Sequence, residues 1–178
     1  MAINYKPVNS VTKHDAFPIP SMEELLAKVD GAKYFSLLDF SQFYHQLSLH
    51  PDDCEKTAFL ACGKLYEYVR CPFGLTNAVT YCCRVMQSLF GGLEGTLVYF
   101  DDVLVFGDSQ EEHDRRLRKL LEIICTSEMS LSLQKCIFSK RHVTYLHVGH
   151  HIEGGTVSPD PSRSQSLLIC PVLSWTGS

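Results

Sequence analysis

Two adjacent aspartates, Asp101 and Asp102, interrupt an otherwise apolar stretch, with Leu97 to Phe100 on one side and Val103 to Phe106 on the other. The flanking residues are β-formers, and a gap of two residues is the length of a tight hairpin loop. The pattern predicts a β-hairpin with both carboxylates at its turn. Like charges side by side in a partly desolvated place repel, so a pKa rises or a counter-charge is needed. Hard oxygen ligands suit Mg²⁺, which keeps several waters and is typically held by one or two carboxylates plus substrate phosphates. Aspartate is also a common turn residue, and a purely structural polar turn accounts for the same spacing.

A metal pair that activates a hydroxyl and stabilises a leaving pyrophosphate needs a third carboxylate. Tyr34 to Asp39 is aromatic and apolar without a helical stripe, which predicts a buried strand delivering Asp39 at its C-terminal end. Neighbouring strands of one sheet bring their ends together, so Asp39 is the best-placed partner for Asp101 and Asp102.

Elsewhere, Ser21 and Glu24 form a capping box before Leu25, Leu26 and Val29, with Gly31 as the stop, and predict a short helix. Lys56 to Ala61 and Lys64 to Arg70 read as strands joined at Cys62-Gly63. Asn77 can cap a helix over Ala78 to Leu89 that ends at Gly91-Gly92. Ser109 and Glu112 make a second capping box ahead of Leu117, Leu120, Leu121 and Ile124, which share one helical face. Leu131, Leu133, Val143, Tyr145 and Ile152 mark shorter strands, and the serine- and proline-rich residues 158–178 predict a poorly ordered tail. The order of elements indicates an α+β fold, an antiparallel sheet backed by helices.

The 178 residues are enough for one domain with a sizeable core, being 45% hydrophobic. No run approaches the length of a membrane span, and no secretory signal is visible, so the expectation is an intracellular protein of the cytoplasm or nucleus with no membrane partner. The eight cysteines are expected as reduced core thiols. A net charge of −4 argues against holding nucleic acid by bulk electrostatics alone.

Successive blocks nevertheless resemble, in order, the reverse transcriptases of retroviruses and gypsy-type long-terminal-repeat retrotransposons. They are Asn4-Tyr5-Lys6 with Asn9, Thr12, Asp15 to Pro20, Gly31 to Gln46, Lys56 to Phe59, Pro72 to Ala78, Tyr99 to Val105, His113, Lys135-Cys136 and Tyr145 to Ile152. The resemblance implies a right-hand polymerase whose palm carries catalytic, metal-binding aspartates at Asp39, Asp101 and Asp102, with two Mg²⁺ ions, or Mn²⁺ in their place. It implies that Phe40 contributes backbone contacts at the metal and triphosphate, that Tyr44 is the aromatic gate excluding a 2′-hydroxyl, and that Phe73 and Gly74 line the nucleotide pocket. Asn77, Ala78, Tyr99, Phe100, Gly149 and His150 are implied to meet primer or template. The implied partners are an RNA or DNA template, a DNA primer and deoxynucleoside triphosphates.

Residues 1–157 are expected as partial fingers and palm, with the thumb, connection and ribonuclease H supplied by another subunit or by other polyprotein regions. Departures from the family pattern are Lys6 in place of arginine, Val79 and Cys83 in the pocket helix, and an extra His147-Val148 before Gly149. Three other readings stay open: a catalytically inactive remnant or duplex-binding module; a zinc site built from Cys136, His142, His147, His150 and His151; and a nucleic-acid contact on the helix Glu111 to Cys125, whose mixed charges equally describe a solvated face.

Overall fold

The computed structural model describes residues 3–18, 21, 24–25, 27–145, 150–153 and 156–159. Its centre is a four-stranded antiparallel sheet in the order β4-β5-β1-β6, built from β1 (Tyr34–Asp39), β4 (Thr96–Tyr99), β5 (Asp102–Gly107) and β6 (Ile137–Lys140). The expected strand over Tyr34 to Asp39 is present with those bounds. It is central because its side chains are apolar on both faces, which only an interior strand can bury.

Alternation along β1 sorts the two faces. Leu38 and Phe40 point to one side with Val98, Val103 and Val105, where helices α4 (Ala78–Phe90) and α5 (Gln110–Thr126) cover them. Ala78, Cys82, Met86 and Phe90 recur at four-residue spacing along α4 and give it one buried stripe. Each fully buried Leu, Val or Phe here contributes about 1.5–3 kcal/mol of transfer free energy. On the other face, Phe35, Leu37, Leu97 and Leu104 pack against Val143, Tyr145 and Ile152. Those three come from a three-stranded meander of β7 (His142–Tyr145), β8 (His150–Glu153) and β9 (Thr156–Pro159).

The first capping box forms in full and the second by half, since Glu112 Oε2 accepts from the Asp108 N–H at 3.3 Å and not from that of Ser109. The Glu24 N–H donates to Ser21 Oγ at 3.2 Å and the Ser21 N–H to Glu24 Oε2 at 3.3 Å, while the Glu112 N–H donates to Ser109 Oγ at 3.2 Å. Gly107 ends β5 against α5: a Cβ there would lie 2.8 Å from the backbone nitrogen of His113, so only glycine allows that approach.

The hairpin between Lys56 and Arg70 is shorter than expected. Only β2 (Phe59–Ala61) and β3 (Lys64–Tyr66) pair, and Glu55–Thr57 is a 3₁₀ turn. Cys62 and Gly63 both have positive φ, 50° and 71°, as a two-residue type I′ connection requires. Short helices α1 (Lys6–Val11), α2 (Phe43–Gln46) and α3 (Pro51–Cys54) were not expected from periodicity, since six or four residues are too few to show it. Asn77 occupies the N-cap position of α4, but its side chain makes no capping bond. Instead it donates to the Lys13 carbonyl at 2.8 Å and accepts from the Asp15 N–H at 3.1 Å. Asp15 in turn takes a two-pronged pair from Arg84, at 2.8 and 2.6 Å, which ties the N-terminal segment to α4.

Among the described residues no helix is long and apolar enough to cross a membrane. The described cysteines are all free thiols.

Candidate active site

The register of the sheet places Asp39 directly opposite Asp102, across the β1–β5 ladder. Opposed residues in an antiparallel pair project to the same face with Cβ atoms roughly 4.5–5.5 Å apart. Alternation puts that face with Leu37 and Leu104, away from the helices, and Tyr99 joins it because it pairs with Asp102 on β4. The apolar ladder Leu37–Leu104–Leu97 thus fixes the register, and the register delivers two carboxylates side by side at the end of the strands.

The turn is displaced by one residue from the sequence expectation. Tyr99 and Asp102 close it, so its two central residues are Phe100 and Asp101, and Asp102 is a buried strand residue only 4% exposed. Phe100 takes φ 54°, the position where type II′ turns favour glycine, and its ring packs edge-on against Tyr99 at 4.5 Å. A bulky residue there carries about 1–2 kcal/mol of backbone strain. The three aspartates therefore divide into a laddered pair, Asp39 and Asp102, and a turn residue, Asp101.

Like charges directly opposite each other destabilise a sheet, and the surroundings offset this only partly. Asp39 Oδ1 is buried and accepts no hydrogen bond; Lys135 Nζ stands 3.6 Å away, on a side chain 68% exposed. The backbone of Asp39 is engaged by Ser132, whose N–H donates to its carbonyl at 2.9 Å, and by the Cys136 thiol, 3.4 Å from its nitrogen. Periodicity gave no warning of Cys136 and Lys135 as neighbours of Asp39; the family blocks had singled out both, and the zinc reading Cys136 alone.

Such a platform fits a hard divalent cation. Its donors are carboxylate oxygens, one of them buried with a cation nearby but no donor bonded to it. Among the described residues no three His, Cys, Asp or Glu side chains are gathered as a ready cage.

Beside the carboxylates, Tyr44 on α2 is half-buried and meets the exposed Phe73 ring at 5.0 Å. Burial pushes its phenol up to about 12, helped by Cys82 and by the negative charge of Asp101. Tyr44 stays protonated at any physiological pH, and this side chain lies within electrostatic reach of Asp101. Gly74 adopts φ 96°, and its carbonyl accepts from Asn9 Nδ2 at 2.8 Å. The loop after Phe73 is thereby held in place by α1. Phe40, next to Asp39, turns its ring into the helix-side core at 4% exposure, and its backbone forms an isolated antiparallel bridge with Leu131. Ala78 is buried at the start of α4.

Gly149 lies outside the described residues, and His150 is placed only by its backbone pairing with Tyr145. Of the zinc candidates, His147 and the side chains of His150 and His151 also lie outside them. His113 departs from the reading of the charged run of α5 as a nucleic-acid contact or solvated face, because it is fully buried and bonded to Ser36 of β1 at 2.9 Å. A histidine among charged residues gives no sequence signal that it faces inward; the small Gly107 opposite was the available clue.

A family model described as reverse transcriptase (RNA-dependent DNA polymerase) matches residues 1–152. The Retrovirus-related Pol polyprotein from transposon 297 of Drosophila melanogaster is 32% identical over 97% of this chain and 16% of that polyprotein. The corresponding polyprotein from transposon gypsy is also 32% identical, over 96% of this chain and 16% of its own length. In three dimensions the chain is similar to foamy viral protease-reverse transcriptase in complex with double-stranded DNA, with a TM-score of 0.85 at 23% identity, covering 93% of this chain and 29% of that one. A second structure of that protein, with an RNA/DNA hybrid, gives 0.83 at 23% identity over 94% of this chain and 23% of the other. The chain spans about one sixth of the length of the curated polyproteins it matches.

Proposed function

Because this chain belongs to the reverse transcriptase (RNA-dependent DNA polymerase) family, we propose that it is the partial fingers and palm, residues 1–157, of an RNA-directed DNA polymerase. The observation that carries this reading is the pairing of Asp39 with Asp102 across the sheet, with Asp101 in the adjoining turn. In the proposed reaction a primer 3′-hydroxyl attacks the α-phosphate of a deoxynucleoside triphosphate, and pyrophosphate leaves.

Asp39, Asp102 and Asp101 would hold the divalent cations, which when bound would supply charge neutralisation and a lowered hydroxyl pKa. The backbone at Phe40 faces the triphosphate side. Lys135, 3.6 Å from Asp39 Oδ1, offsets the paired negative charge before substrate arrives. The Tyr44 ring, braced by Phe73, walls the sugar and admits a 2′-hydrogen more readily than a 2′-hydroxyl. Gly74, Asn77 and Ala78 border the nucleotide and template, while Tyr99, Phe100 and the β7–β8 hairpin with Gly149 and His150 border the primer. A net charge of −4 leaves most of the grip on the nucleic-acid backbone to other regions of a polyprotein or to another subunit, since that grip is summed over many phosphate contacts.

The test is Mg²⁺-dependent extension of a DNA primer on an RNA template, alongside Asp101→Asn and Asp102→Asn. Extension by the parent chain that both substitutions abolish is the expected result. A folded chain that binds an RNA–DNA duplex yet never extends the primer would overturn the catalytic reading in favour of an inactive binding module.

A further inference from the structure

Tyr145 is the one phenol sealed into the apolar layer beneath the carboxylates. It lies on β7 at 2% exposure, packed with Leu37, Leu97 and Leu104 and with the ring of Tyr99. Among the described residues its hydroxyl reaches no acceptor, a condition that costs about 1–3 kcal/mol. Phenylalanine would fill the same space without that cost. The groups whose charge bears on the phenol are Asp102 first, then Tyr99 and Asp101, and burial pushes its proton affinity well up. The hydroxyl therefore keeps its proton and can donate it, and Tyr145 packs with Leu37 and Leu104, the residues that alternate with Asp39 and Asp102 on the same face of the sheet.

We infer that Tyr145 is a positioning residue: its hydroxyl donates to the Asp102 carboxylate from below the sheet and keeps that side chain aligned with Asp39. Rotation of the carboxylate onto the hydroxyl removes the desolvation penalty, and a hydrogen bond to an ionised acceptor is among the stronger kinds. It leaves the other carboxylate oxygen for the ligand side. Ligating carboxylates are commonly held this way by a hydrogen bond from behind. The assignment rests on the proposed role of Asp39 and Asp102 as the cation platform, but the contact itself is testable without any metal.

The experiment is a double-mutant cycle on the whole chain with Tyr145→Phe, Asp102→Asn and both together, read as the unfolding equilibrium constant in urea with a chelator present. Coupling of about tenfold or more is expected, the worth of a hydrogen bond to a charged group. In a second arm, Mn²⁺ binding followed by electron paramagnetic resonance should weaken about tenfold in Tyr145→Phe, the usual effect of losing a group that orients a ligand. A Tyr145→Phe chain as stable as the parent or more so, with no coupling to Asp102, would overturn the inference. If the parent chain takes up no Mn²⁺ while the coupling persists, the cation platform fails and the Tyr145–Asp102 contact stands.

Discussion

The two faces of the central sheet treat buried polar groups in opposite ways. On the helix face, Ser36 and His113 are fully buried. Asp114 lies 3.0 Å from His113 Nδ1, so that nitrogen carries the proton and Nε2 accepts from the Ser36 hydroxyl at 2.9 Å. Ser36 Oγ also accepts from the Ser139 N–H at 3.0 Å. Every donor there meets an acceptor, and the network joins α5, β1 and β6. Three residues further along the same strand, on the other face, Asp39 meets Asp102, an acceptor against an acceptor. Ser36 and His113 are sealed from solvent, whereas the Asp39 side chain keeps 24% of its surface open beside the buried Asp102; access to solvent and the balance of donors and acceptors together separate a structural polar group from one kept for binding.

That contrast can be broken most directly at Asp39. Asp39→Asn is expected to lower primer extension by about 10³-fold or more, the scale of losing a charge that acts in the transition state. It should also raise the urea midpoint slightly, by about 0.2–1 kcal/mol of relieved repulsion. A variant that lost stability and kept activity would erase the difference between the faces. His113→Ala tests the helix face from the other side. It leaves a cavity and strands Ser36, and should cost about 3 kcal/mol in urea unfolding while Mn²⁺ affinity stays unchanged.

A smaller effect is expected at Tyr44. Tyr44→Val opens the wall beside the carboxylates, and preference for deoxy- over ribonucleoside triphosphates in single-nucleotide extension should fall about tenfold to a hundredfold. Unchanged selectivity would remove Tyr44 from the site. The smallest effect belongs to Glu94, whose carboxyl is held below its ordinary value chiefly by a hydrogen bond from Arg116, at 2.7 Å. A depressed carboxylate stabilises above its unfolded pKa, and that contribution disappears as pH falls through the folded value. Glu94→Gln should therefore lower the urea midpoint slightly at pH 7 and make no difference in strong acid. A gap that persisted in acid would assign the effect to packing instead of charge.

Much of this arrangement was legible in the sequence where a local rule and the tertiary packing agree. The strand Tyr34–Asp39 is apolar on both faces because both faces are covered, and the Ser21–Glu24 box and the Ser109 cap form because their partners lie three residues apart. The hairpin of the aspartates was placed one residue off for the converse reason. Asp101-Asp102 has turn chemistry, but the pairing of Leu97 with Leu104 sets the register, and the turn then falls on an aromatic residue at positive φ that no propensity favours. Leu133 was expected to mark a strand core and is 70% exposed. His113 was read with its charged neighbours, since its buried partner Ser36 is remote in sequence. Tyr145 was read only as an apolar marker; its hydroxyl gains meaning from what lies above it.

The off-by-one turn also sets the mechanical character of the aspartate cluster. Asp39 and Asp102 are bolted to adjacent rungs, so the gap between them changes only if the whole ladder slides, which would turn every apolar side chain of β5 the wrong way. Asp101 sits one peptide away in a strained bend with no rung of its own. The cluster is a vice with a fixed jaw and a compliant one: its width is machined by the sheet, and its clamping stroke is set by the turn. If the aspartates hold cations as proposed, ions of somewhat different radius would be gripped by movement of Asp101 alone, with no disturbance passed to the core.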